Sequence, residues 1–270
     1  MALLPFKNGQ LHYQWRPGNP AHKPLVLLHG FLEDSRMWDG LSQAWNTHGP
    51  VLMIDLPGHG QSDSFATVHT MELMAEAVDA VVQFCQLPTF HLLGHSMGGY
   101  VALAYAETHP EKLEQLGLFF STPLADSPAR QVMREKAAAL VQQNHNAFIR
   151  ASIPQLFDAT MRAAFQPAIH RQINQSLEMS VEGIVAAIQG MRIRKDRTHI
   201  LKGGTVPVGV FAGKLDTVIP FDSVEKWSLA TGVDYRYTSP SGHMGHITHQ
   251  QGCIDEVQRW WLGAWASKTD

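Results

Sequence analysis

The run Phe90-His91-Leu92-Leu93-Gly94-His95-Ser96-Met97-Gly98-Gly99 decides the fold. A mostly apolar stretch leads straight into two glycines that bracket a serine, and helical periodicity takes over from Gly99. A strand that becomes a helix within so few residues needs a very tight turn, which holds the serine at its apex in strained backbone angles. Side chains at positions 94 and 98 would block that turn, so glycine is required at both. Gly-x-Ser-x-Gly alone arises often by chance; a strand before it and a helix after it make it informative. The serine hydroxyl then stands above the sheet. The Met97 N–H, at the helix start, faces the place where an oxyanion would form.

Outward from this turn, short apolar runs alternate with longer helical patterns, the signature of a mainly parallel sheet with crossover helices. Leu25–Leu28 is continuously apolar, as a central parallel strand should be. Val51–Ile54, Phe90–Leu93, Leu116–Phe120, Val206–Phe211 and Val233–Tyr237 repeat the theme, and Leu11–Trp15 alternates like an antiparallel edge strand. Helices are expected over Ser35–Trp45, Thr70–Phe84, Gly99–Thr108, Asp222–Leu229 and Gly252–Ala266. From Pro123 to Lys202 the periodicity is helical throughout, interrupted by Pro128, Pro154 and Pro167. This stretch holds eleven Lys and Arg against six Asp and Glu, a net +5, while the remainder carries −8. The expected layout is an α/β core over 1–122 and 203–270, with a basic helical cap at 123–202 over the carboxyl edge of the sheet.

Composition narrows the class. Of 270 residues, 44% are hydrophobic and 17% charged, which excludes a disordered chain. A net charge of −3 leaves no electrostatic footprint for nucleic acid or an anionic membrane. No window approaches the roughly 18 apolar residues of a membrane span. Met1–Gln10 is broken by Pro5 and Lys7 and does not read as a targeting signal. Two cysteines cannot make a disulfide framework and point to a reducing compartment, so a cytoplasmic protein is expected. Oligomeric state is not readable.

A serine hydroxyl needs a base to take its proton. Ser239-Pro240-Ser241-Gly242-His243-Met244-Gly245-His246 follows the last expected strand and supplies His243, directly after the loop glycine; His246 lies a turn further on. The base in turn needs a carboxylate to fix its tautomer. Asp216, in Phe211-Ala212-Gly213-Lys214-Leu215-Asp216, sits just past the preceding strand. Its competing reading is a helix cap, for which Asp222 is better placed; Asp126 is the second choice for the acid. The second oxyanion donor is the Phe31 N–H, in His29-Gly30-Phe31 after the third strand, where Gly30 permits the turn.

Together these residues resemble the α/β-hydrolase superfamily, in the order Ser96, Asp216, His243. Asp55-Leu56-Pro57-Gly58-His59-Gly60-Gln61-Ser62 is similar to that family's turn after the fourth strand, which is mostly structural there. Ala186–Met191 with Arg192, Arg194, Asp196 and Arg197 resembles the cap end of esterase and enol-lactonase relatives. Thr248 and His249 stand where that family often carries a Glu–Pro pair. The resemblance implies a hydrolase of a carboxylic ester or lactone without cofactor. The alternatives are a carbon–carbon bond hydrolase or lyase of the same fold, and a ligand-binding relative without turnover. The basic cap favours an anionic substrate.

Other patterns carry less. His243, His246 and His249 recur every third residue, but no glutamate completes a zinc motif, so no metal is expected. Gly203-Gly204 lacks the Lys-Ser/Thr of a phosphate loop, and no Gly-x-Gly-x-x-Gly follows a strand. Cys85 and Cys253 read as buried structural thiols. Met133, Met161, Met179 and Met191 fit helix packing in the cap.

Overall fold

Leu25 and Leu27 face one side of a sheet while Val26 and Leu28 face the other, and Val51 and Met53 against Leu52 and Ile54 repeat the alternation. Both faces are buried, so the sequence shows an unbroken apolar run where the structure still has a period of two. The computed structural model describes residues 2–45, 47–202 and 204–264. Among them, eight strands form one sheet: β1 (Ala2–Phe6), β2 (Gly9–Arg16), β3 (Leu25–Leu28), β4 (Val51–Ile54), β5 (Phe90–His95), β6 (Leu113–Phe119), β7 (Val208–Gly213) and β8 (Tyr235–Ser239). Their order is β1-β2-β4-β3-β5-β6-β7-β8. β1 and β2 are antiparallel and β2 meets β4 antiparallel; every pairing beyond is parallel. The mostly parallel α/β architecture expected from the alternation is the one observed.

Several strand bounds differ, β6 and β7 running Leu113–Phe119 and Val208–Gly213 rather than Leu116–Phe120 and Val206–Phe211, and one strand sits elsewhere in the sheet. The strand expected at Leu11–Trp15 is antiparallel but not an edge, because β1 pairs along it from Ala2 opposite Tyr13 to Phe6 opposite Gly9. Pro5 hid that strand, and it is accommodated because β1 is itself the outermost strand. The last strand runs to Ser239 rather than Tyr237.

Helices cover both faces. One layer holds α2 (Met71–Phe84), α3 (Met97–Thr108) and α8 (Phe221–Thr231); the other holds α1 (Asp39–Trp45) and α10 (Gln250–Trp261), the latter preceded by the short α9 (Gly245–Thr248). α3 is buried from Met97 through Ala106, and its Gly and Ala residues let it lie close against the strands. On the opposite face Trp260 fits over Gly117 and Gly209, where a Cβ would come within 3.0 and 2.4 Å of its ring. The Trp pair Trp260 and Trp261 therefore packs on the sheet. The last helix ends at Trp261, short of the expected Ala266, because its C-cap falls at Leu262; Gly203, the expected first core residue after the cap, lies outside the described residues.

Between β6 and β7 come α4 (Pro128–Ser152), α5 (Gln166–Ser176), α6 (Val181–Arg192) and α7 (Thr198–Lys202). Two of the prolines that interrupt this stretch in the sequence begin helices. Pro128 is the first residue of α4 behind a Ser127 cap, and Pro167 stands in the first turn of α5. α4 kinks at Asn144 (φ −155°, ψ 81°). The insert has its own apolar cluster, which reaches the core through Leu32 and Met244. No helix among the described residues is long and apolar enough to cross a membrane.

Candidate active site

Ser96 has φ 50° and ψ −111°, outside the regions a serine favours. It is held there from three sides. Its N–H donates to Phe119 O at 3.0 Å, and its carbonyl accepts from Ser121 Oγ at 2.7 Å and from Gly99 N at 3.0 Å. The flanking glycines are obligatory by contact. A Cβ on Gly94 would lie 2.2 Å from Gly98 O, and one on Gly98 would lie 2.5 Å from Leu28 O. Thus β5 ends, the chain turns at Ser96, and α3 begins with the serine hydroxyl projecting into a cleft lined also by His243 and Phe31.

The two later loops are tied together before they reach the serine. Lys214 N donates to Ser239 O at 2.9 Å and Leu215 N to Ser241 O at 3.0 Å, which continues the β7–β8 pairing into the loops. Asp216 and His243, 27 residues apart, thereby meet: Nδ1 of His243 lies 2.8 Å from Asp216 Oδ2. On its other side Nε2 of His243 is 3.0 Å from Ser96 Oγ. Asp216 caps no helix, since α8 begins only at Phe221; its two oxygens are divided between a turn and the imidazole. Oδ1 accepts from Val218 N and Ile219 N at 2.8 and 2.9 Å, leaving Oδ2 for the imidazole. Asp222 is in the first turn of α8, whose cap position is Pro220.

The remaining candidates separate cleanly. Asp126 is wholly buried among Arg130, Arg134 and Arg194, a partnership that commits its carboxylate to the insert. His246 lies behind the cleft, its ring 5.1 Å from that of His95, and burial lowers its pKa to about 3. The Phe31 and Met97 N–H groups have no hydrogen-bond partner among the described residues. The positive φ in this turn belongs to Leu32, at 61°, and not to Gly30. Gly30 is required because a Cβ there would lie 2.4 Å from Glu33 Oε2 and 2.7 Å from His95 Nδ1. The turn is secured from the insert, since Leu32 O accepts from Gln172 Nε2 at 2.6 Å and Ser176 Oγ at 2.8 Å.

Sequence reasoning missed Glu33. Its Oε2 lies 2.7 Å from His95 Nδ1 and accepts from Gly30 N at 2.9 Å. Burial alone would raise the Glu33 pKa, but His95, with smaller contributions from His246 and His29, pulls it down to about 2. For His95, burial opposes the charge, and Glu33 outweighs it and raises the pKa. Both ring nitrogens of His95 face acceptors, Glu33 Oε2 and the His243 carbonyl, an arrangement that favours the charged imidazole. Asp55 plays a purely local part: its carboxylate accepts from His12 Nδ1, Ser35 N and Gln61 N at 2.8, 2.8 and 2.9 Å, closing the turn after β4.

Comparison with known proteins identifies the family. A family model described as alpha/beta hydrolase fold matches residues 23–250. The chain is 30% identical over 222 residues to the dihydrolipoyllysine-residue acetyltransferase component of the acetoin cleaving system of Pseudomonas putida, covering 81% of this chain and 58% of that protein. It thus spans little more than half the length of that relative. The pimeloyl-[acyl-carrier protein] methyl ester esterase of Aeromonas hydrophila is 27% identical over 253 residues, 87% of this chain and 93% of the esterase. A thermophilic esterase from Thermogutta terrifontis superposes with a TM-score of 0.88 at 27% identity, over 94% of each chain. The chain belongs to the alpha/beta hydrolase fold family.

Proposed function

We propose that the protein is a serine hydrolase of a carboxylic ester or lactone that works through an acyl-enzyme, its chemistry carried by side chains and backbone amides. The observation that carries this reading is the unbroken relay from Asp216 Oδ2 through His243 to Ser96 Oγ, with steps of 2.8 and 3.0 Å. Ser96 Oγ attacks the carbonyl carbon while His243 Nε2 accepts its proton. Asp216 keeps the Nδ1–H tautomer in place and stabilises the imidazolium that forms. The amides of Phe31 and Met97 donate to the tetrahedral oxyanion. The imidazolium then protonates the departing alkoxide, the acyl group stays on Ser96, and His243 activates a water that releases the acid. The free thiols of Cys85 and Cys253 suit a reducing compartment, and we place the protein in the cytoplasm.

The test is labelling with a fluorophosphonate probe near neutral pH, with the modified peptide mapped by mass spectrometry. Labelling at Ser96 that disappears in Ser96→Ala and His243→Ala supports the reading. A folded protein that neither takes the probe nor turns over esters and lactones overturns it.

A further inference from the structure

The cleft holding Ser96 and His243 is also lined by two arginines of the insert, Arg130 and Arg134, both on the first turns of α4. Between the two ends the wall is apolar, made by Phe148, Leu156, Met191 and Val218. The cavity itself is small, about 130 Å³.

The charge in this cleft does not balance. Glu33 and His95, which also line it, neutralise each other. Asp126 is the carboxylate for three guanidinium groups. Arg134 Nε donates to its Oδ2, Arg130 Nε lies 3.4 Å from Oδ1, and Arg194 Nη1 makes a close ionic contact at 2.7 Å. Arg194 is used up, since it lies over the Tyr100 ring at 4.1 Å and donates to Leu124 O and Met191 O. Arg130 gives one bond from Nη2 to Val218 O at 3.0 Å. The terminal nitrogens of Arg134 make no hydrogen bond among the described residues. Asp126 thus fixes the orientation of Arg130 and Arg134 from behind without cancelling their charge. Guanidinium forks held beside an apolar wall have a planar oxyanion as their natural ligand.

We propose that Arg130 and Arg134 form a subsite for a carboxylate that the substrate carries away from its scissile bond. The substrate is then an ester or lactone with a free carboxylate, its hydrocarbon spacer lying along Phe148, Leu156, Met191 and Val218. This rests on the ester- or lactone-hydrolase reading and adds the substrate class.

Two matched pairs of esters test it by pH-stat: monomethyl adipate against methyl hexanoate for a carboxylate on the acyl side, and 4-acetoxybutanoate against butyl acetate for the alcohol side. In at least one pair the anionic ester is favoured by about tenfold or more in kcat/KM, and the preference shrinks as salt is added. In Arg130→Gln the ratio falls toward one, chiefly through KM. Arg134→Lys keeps Asp126 paired while removing the fork, and lowers the ratio in a protein that still folds. Lys136→Gln removes an equal charge from an exposed position on the same helix and leaves the ratio where it was. A ratio near one in both wild-type pairs, or a preference untouched by both arginine changes, overturns the subsite.

Should none of these esters be turned over, the hydrolase reading is decided separately by the fluorophosphonate labelling. Adipate-induced thermal stabilisation of the wild-type protein then decides the subsite without any chemistry. A shift lost in Arg130→Gln supports the subsite, and no shift, or one retained in Arg130→Gln, overturns it.

Discussion

Glu33 Oε2 and His95 Nδ1 lie 2.7 Å apart with both side chains 1% exposed, and the other ring nitrogen of His95 lies 3.2 Å from the backbone carbonyl of His243. His95 is also the residue before Ser96. One buried imidazole therefore touches the loop of His243 and belongs to the turn of Ser96, while Glu33 favours its charged form. Glu33 also accepts from Gly30 N, which joins the Gly30–Glu33 loop to the same network. Three segments that must keep their spacing to within a fraction of an ångström share one ion pair.

Glu33→Gln therefore lowers both stability and kcat. The sign of the pH dependence follows from the two pKa values. Glu33 is depressed from 4.5 to about 2, so its contribution is present above about pH 4.5 and disappears as pH falls toward 2. His95 is raised from 6.5, so its contribution is full below about pH 6.5 and declines as pH rises through the raised value. The stability difference between wild type and Glu33→Gln is then largest between about pH 4.5 and 6.5, at roughly 2–4 kcal/mol for a buried pair with one charge removed. Denaturant melts at a series of pH values measure it, and kcat falls about tenfold from lost alignment. A difference that does not vary with pH would mean that the pair is not ionised.

Asp216→Asn separates the two jobs of that carboxyl. The amide oxygen can still accept from Val218 N and Ile219 N, so the loop survives and stability changes by about 1 kcal/mol or less. The opposite end now presents an NH2 donor to Nδ1, which forces the wrong tautomer on His243. Hydrolysis of an activated ester and the rate of fluorophosphonate labelling fall by about 10³–10⁴. A variant that keeps its rate would remove Asp216 from the relay.

The parts of this site that a sequence exposes are those carried by local chain geometry. Gly94 and Gly98 are needed within four residues of each other, and His243 follows its own loop glycine, so each is visible in a short window. Glu33 and His95 are 62 residues apart, and neither has a local pattern that marks it. The one available signal was a glutamate two residues behind Phe31, and Asp34 and Arg36 beside it make that charge unremarkable. Arg197 was similarly opaque: it is 2% exposed and fastens the exit of the insert to α2 and α3 through Glu72 and Glu107, at 2.7 and 3.0 Å. β1 was missed because a single proline outweighs four apolar residues when the pairing partner is unknown.

The insert holds the loop that carries Phe31 by two hydrogen bonds to Leu32 O, and α5 supplies both donors. Ser176→Ala leaves Gln172 as the remaining donor, at a stability cost of about 1 kcal/mol. The Gln172→Ala/Ser176→Ala pair leaves a buried carbonyl without a partner beside a residue at φ 61°. In that double variant the Phe31 amide loses its aim and kcat falls by about 10–100-fold, KM changing less. Steady-state kinetics on an activated ester read both parameters. An unchanged kcat in a protein with lowered Tm would show that α5 only holds the fold together.

Ser96 is the place where stability is given up for position. Its φ of 50° with ψ of −111° costs roughly 1–3 kcal/mol for a residue with a Cβ. Ser96→Gly removes the Cβ and the strain but adds about 0.5–1 kcal/mol of backbone entropy to the unfolded chain. Ser96→Ala removes the hydroxyl and keeps the strain. Both lose the 3.0 Å contact with His243 Nε2, so the difference between them isolates the backbone. Ser96→Gly is expected to melt above Ser96→Ala by about 2–6 °C, neither variant turning over ester. Differential scanning calorimetry at one pH and one ionic strength measures this directly. If the glycine variant melts lower than the alanine one, the turn is comfortable for a side chain. The immobility of Ser96 must then come from Phe119 O, Ser121 Oγ and the surrounding packing, without stored strain.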